Sequence, residues 1–180
     1  MNLRAEIEAA LQPLVGEPLS GVSWMPPYER LTGGTPTGRE PFGRMRFEFG
    51  VPRLTRNQKG EEIRRADWAL VVSCWWDIEN GDGYPLLSTI DFAPERDPRF
   101  NRTRLFYGMA QDLYNPMRGM RVAVRKTGAV DFKLSQDVEL AIFATEGAAG
   151  TERELWRLIT RDQGVADFVV RADDFDGMNE

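Results

Sequence analysis

Apolar and polar residues alternate with a period of two along most of this chain, the spacing of strands that bury one face. Met45, Phe47 and Phe49 fall on one side of such a strand, with Arg44, Arg46 and Glu48 on the other. A briefer strand is predicted from Leu19 to Trp24, followed by a long Gly- and Pro-rich loop over 25–43. Asp67 to Ile78 differs. Trp68, Leu70, Val72, Cys74, Trp76 and Ile78 share one face while Val71 and Trp75 load the other, which predicts a central strand covered on both sides.

Between these segments, Arg53 to Arg64 predicts a polar hairpin turning at Asn57–Gly60. Asn80-Gly81-Asp82-Gly83 is dense turn chemistry, and Leu86 to Phe92 predicts a returning strand. Later, Met120, Val122 and Val124, then Val130, Phe132 and Leu134, then Val138, Leu140 and Ile142 form three alternating sets, the pattern of an antiparallel meander. Thr151 with Glu154 has the form of a helix capping box. Leu155, Arg157 and Ile159 against Trp156 and Leu158 fit a strand better in this strand-rich context, and Val165 to Arg171 predicts the last one.

Helical spacing occurs twice. Leu3, Ile7 and Leu11 recur until Pro13 stops them, and Leu105, Phe106, Met109 and Leu113 follow a Thr103 N-cap and end at Asn115-Pro116. The expected class is therefore α+β: an antiparallel sheet of about six to eight strands with two helices, one N-terminal and one mid-chain. One domain over 1–172 and an acidic tail over 173–180 account for the whole length.

Composition narrows the chemistry. With 42% apolar and 28% charged residues among 180, the chain has the balance of a globular domain. Histidine is absent, which removes Ser-His-Asp and Cys-His nucleophile systems and histidine-containing zinc sites. Cys74 is the only cysteine, so no internal disulfide forms, and no stretch approaches the roughly 20 apolar residues of a membrane helix. These features set a cytoplasmic expectation, with no membrane association and an unused sequon at Asn101-Arg102-Thr103. A net charge of -5 disfavours general attraction to nucleic acid.

Candidate sites remain. Gly33 to Gly38 has phosphate-loop spacing, but Arg39 and Glu40 replace the Lys and Ser/Thr that phosphate and magnesium require, and no cofactor is implied. Asp77, Glu79 and Asp82, with Asp91 further on, are weak candidates for a hard cation in a metal-assisted hydrolase, yet glycine and aspartate stand reversed relative to a calcium loop. Cys74 reads as buried filler. Arg44, Arg46, Arg53, Arg56, Lys59, Arg64 and Arg65 concentrate positive charge in one stretch, the basis of an alternative nucleic-acid reading through Arg44–Arg65. Trp75 and Trp76 are adjacent on a strand and point to opposite faces, so one of them needs a cover, and a partner protein is one such cover. Trp75, Trp76, Arg53 and Arg56 are the candidate binding residues, with self-association left open.

Three segments together carry a resemblance: LVGEPLSGV (14–22), ADWALVVSCWWDIE (66–79) and ELWRLITRDQGVADFVV (154–170). They resemble a group of small bacterial cytosolic proteins, a domain of unknown function, with a G-x-P-L-x-G start, a W-A-L-H-V-x-C-x-W-R-I strand and a late E-x-W-R-L strand. Val71-Val72-Ser73 stands where that group carries a histidine, and Asp77 where it carries arginine. The resemblance implies an immunity-type, toxin-masking protein that binds another protein and performs no catalysis.

Overall fold

The computed structural model describes residues 2–25, 44–57, 59–92, 115–143, 154–161 and 165–175. They form mostly antiparallel sheet with one N-terminal helix, α1 (Leu3–Leu11), continued by a 3-10 turn at Gln12–Leu14. The strands are β1 (Leu19–Met25), β2 (Arg44–Phe49), β3 (Arg53–Arg56), β4 (Glu62–Arg65), β5 (Trp68–Val72), β6 (Trp75–Asn80), β7 (Pro85–Ser88), β8 (Gly119–Val124), β9 (Val130–Leu134), β10 (Val138–Phe143), β11 (Glu154–Thr160) and β12 (Phe168–Arg171). One sheet has the order β1-β2-β5-β11-β12, the other β7-β6-β10-β9-β8, and β3-β4 is a separate two-stranded ribbon. Among the described residues, no helix is long and apolar enough to cross a membrane. The expected mid-chain helix and the Gly33–Gly38 segment lie outside the described residues.

The single sheet of six to eight strands is corrected to two five-stranded sheets, because the segment expected as one central strand bends at Ser73–Cys74. Val72 pairs with Met45 and Trp156 in the first sheet, whereas Trp75 pairs with Phe143 in the second. A bend of this kind lets one strand pass from one sheet to the other. The Leu155 carbonyl anchors it, accepting hydrogen bonds from Ser73 N at 2.8 Å and Cys74 N at 3.2 Å. Leu155 is free to do so as the extra residue of a bulge, between Glu154, opposite Arg171, and Trp156, opposite Val170.

The inner faces meet through aromatic pairs. Phe47 on β2 and Trp76 on β6 pack edge to face with centroids 6.0 Å apart, and Phe49 does the same with Phe132 on β9 at 5.3 Å. Both separations fall in the favoured T-shaped range. Ile7, Leu11 and Leu14 belong to the same core. Helix α1 lies along β8, where the Glu8 carboxylate accepts from Val124 N at 3.3 Å. Gly119 permits the approach, since a β-carbon there would collide with the Leu14 carbonyl and the Phe132 ring. Leu19 N donates to Met117 O at 2.6 Å, which ties the chain entering β1 to the start of β8. Beyond β12, a 3-10 turn at Ala172–Phe175 buries Phe175, so packing continues into the start of the acidic segment.

Bulges also explain a face assignment that differs from the alternation. Alternation places Met120 on the face of Val122 and Val124, but Met120 is 59% exposed. Gly119 faces Leu134 and Arg121 faces Lys133, leaving Met120 as the extra residue.

Candidate binding surface

The β3–β4 ribbon continues the β2–β5 hairpin beyond its sheet. Phe49 is opposite Trp68, and after three residues on one strand and two on the other, Arg53 is opposite Arg65. The uneven count is accommodated at Gly50, whose φ of +101° is left-handed and whose missing side chain leaves room for Asp67. A β-carbon at Gly50 would stand 2.9 Å from Asp67 Oδ2. At the tip, Asn57 Oδ1 accepts from Lys59 N at 2.9 Å and Glu61 N at 3.0 Å, closing the turn expected at Asn57–Gly60.

The ribbon therefore projects from the sandwich as a cationic arm. Arg53, Arg56, Lys59, Arg64 and Arg65 are all exposed, and Leu54 is 68% exposed among them. Among the described residues, Arg56, Lys59, Arg64 and Arg65 form no ion pair, and neither ribbon strand has a second neighbour. Arg53 and Arg65 are directly opposed, a like-charge pairing that costs stability in a two-stranded ribbon. The rest of the basic stretch is elsewhere: Arg44 and Arg46 lie on the outer face of β2, and Arg46 Nε donates to Glu48 Oε1 at 2.9 Å.

An open groove of about 550 Å³ lies at the base of the arm, lined by Arg53, Asp67, Trp68, Thr160, Arg161 and Val165. Arg161 is fixed there twice. Its guanidinium contacts Asp67 Oδ1 at 2.7 Å, and its backbone N donates to Asp67 O at 2.9 Å. Arg53 reaches Asp67 Oδ2 only at 4.0 Å and remains 65% exposed. One carboxylate thus serves two guanidiniums, and Trp68 and Val165 supply an apolar wall. No local pattern signals this cluster, because Asp67 and Arg161 are far apart along the chain and only the pairing of β5 with β11 brings them together.

The other candidates are dispersed. Trp76 is 3% exposed and is core, while Trp75 is half-buried on the outer face opposite Phe143. Asp77 stands opposite Ser88 and Ala141, Glu79 opposite Pro85 and Glu139, and Asp82 lies in a turn organised by Asn80 Oδ1, which accepts from Tyr84 N at 2.8 Å. Among the described residues, no three Asp, Glu, Cys or His side chains converge as a metal site would need. Asp91 Oδ2 accepts from Ser88 N at 2.9 Å, a turn-closing contact. Cys74, expected as buried filler, is half-buried at the bend between sheets.

A second charge cluster lies on the outer face of the first sheet. The β11 bulge brings Glu154 onto the same side as Arg157, and the two side chains pair, with Asp167 joining at 3.2 Å. The Arg157 guanidinium holds the Glu154 carboxyl below its ordinary value, against the opposing effect of burial. The same pairing raises Arg157. Comparison with known proteins brings no relative to this surface: no family model, curated protein or solved structure matches the chain.

Proposed function

We propose that this chain is a cytosolic, non-enzymatic binding protein that masks another protein, and that the β3–β4 arm with the groove at its base is the surface it uses. The observation that carries this reading is the arm itself: four-residue strands that contribute little to the core, yet display arginines around an exposed Leu54. Arginine beside apolar side chains is the composition of protein interfaces. The toxin-masking role rests on the sequence resemblance alone. Of the four candidate binding residues, Arg53 and Arg56 are exposed, whereas Trp76 is core and Trp75 is half-buried.

The test is affinity isolation from the source cell, and co-expression with the product of the adjacent gene, using the full chain and an Arg53→Glu/Arg56→Glu/Arg64→Glu variant. A partner held by the original chain and released by the variant is the expected result. Recovery of no partner, or equal recovery by a folded variant, overturns the proposal.

A further inference from the structure

We infer that the arm takes an extended, acidic segment of its partner as an added strand on one ribbon edge, with a carboxylate of that segment seated between Arg53 and Arg161; this rests on the binding role proposed above. Three observations converge. The first is the edge. A two-stranded ribbon leaves backbone donors and acceptors directed outward on both sides, and among the described residues no strand occupies either edge.

The second observation is the charge on that edge. Arg53 faces Arg65 directly, and of the ribbon's cations only Arg53 has an ion-pair partner among the described residues, Asp67 at 4.0 Å. Five cations against two anions lie between Val51 and Arg65. A second copy of this chain adding its own ribbon would set arginine against arginine, so self-pairing is disfavoured. An added strand with carboxylates at alternate positions presents them all to one face, where Arg53 and Arg65 stand opposite each other.

The third is the groove. Arg161 is held in place by Asp67, whereas Arg53 is only loosely engaged and can turn toward an incoming carboxylate. Asp67 repels such a group, but two guanidiniums against one carboxylate leave attraction in excess. The Trp68 and Val165 wall is suited to the apolar residue that precedes or follows the acidic one in an alternating segment.

The test uses the full chain and a capped seven-residue peptide alternating glutamate and valine. Controls are a lysine-valine peptide, a backbone-N-methylated glutamate-valine peptide and an oligothymidylate. The unmodified acidic peptide should bind, raise hydrogen-exchange protection of ribbon amides, and lose affinity with salt. Arg53→Glu, and separately Arg161→Gln, should weaken it by roughly tenfold or more, as loss of a charge-assisted hydrogen bond does. Arg65→Glu, opposite Arg53 but not lining the groove, should weaken it as well, and melting of each variant verifies folding. Equal binding of the N-methylated peptide, protection outside the ribbon, preference for the lysine peptide or the oligothymidylate, or no binding by any peptide would each overturn the inference. A cellular partner that requires the arm while the acidic peptide fails refutes this mode of binding and leaves the proposed function standing.

Discussion

Trp75 and Trp76 offer a direct test of how the two sheets are assembled. Trp76 sits in the inner face at 3% exposure with its ring edge-on to Phe47, so Trp76→Ala removes a full aromatic side chain from the seam between the sheets. Such truncations cost about 3–5 kcal/mol, of which the T-shaped pair accounts for about 0.5–1.5 kcal/mol. For a domain of this length each kcal/mol lowers the melting temperature by about 2–4 °C, so a drop on the order of 10 °C is expected. Trp75→Ala removes a half-buried ring from the outer face, and about 1–2 kcal/mol follows from partial loss of its burial. Urea unfolding of both variants, with slopes compared to exclude a change of mechanism, gives the two numbers. Equal costs, or a larger cost at Trp75, would refute the placement of the bend at Ser73–Cys74, because shifting it by one residue exchanges the faces of the two tryptophans.

Other consequences are equally specific. Thr89 Oγ1 accepts from Trp76 N at 2.8 Å and donates to Trp76 O at 3.0 Å, continuing the ladder where β7 ends, so Thr89→Val should cost about 1–3 kcal/mol in thermal unfolding despite its conserved shape. Glu154 has a folded-state pKa below its ordinary 4.5, so the stability it contributes is complete above about pH 4.5 and is lost as pH falls through the lower folded value. Urea midpoints of the original chain and Glu154→Gln should therefore differ at pH 7, with the difference shrinking as pH falls below about 4.5; a constant difference would show that the pair with Arg157 is not the cause.

The strands were legible because alternation survives tertiary context, and β2, β9 and β10 bury the residues the pattern assigned to the core. The ribbon was legible for a different reason: a polar hairpin with strong turn chemistry has nowhere to bury itself. The bend at Ser73–Cys74 was not. Both halves are apolar on either side of it, and neither glycine nor proline marks the break, so periodicity runs through unchanged. Bulges at Met120 and Leu155 were hidden similarly, because an extra residue changes which face a side chain takes without changing composition. The groove was beyond reach of any local pattern. It gathers Arg53, Asp67 and Arg161 from the arm's base, the start of β5 and the end of β11, and only the pairing of β5 with β11 brings them together.

Charge distribution determines how such an arm would work. The chain has a net charge of -5, yet the segment from Val51 to Arg65 carries three positive charges in excess, so the remainder carries eight negative ones. At physiological ionic strength, fields between exposed charges fade over about 8 Å. An acidic partner of the kind proposed would therefore be attracted only where it comes within that distance of the ribbon. The continuation of the ribbon past the Phe49–Trp68 pair that ends the sheet therefore matters as much as the arginines themselves, because arginines on the sheet face have neighbours such as Glu48, which already engages Arg46. This charge asymmetry would orient the proposed acidic partner before contact, which is the contribution electrostatics makes to specificity and association rate more than to final affinity.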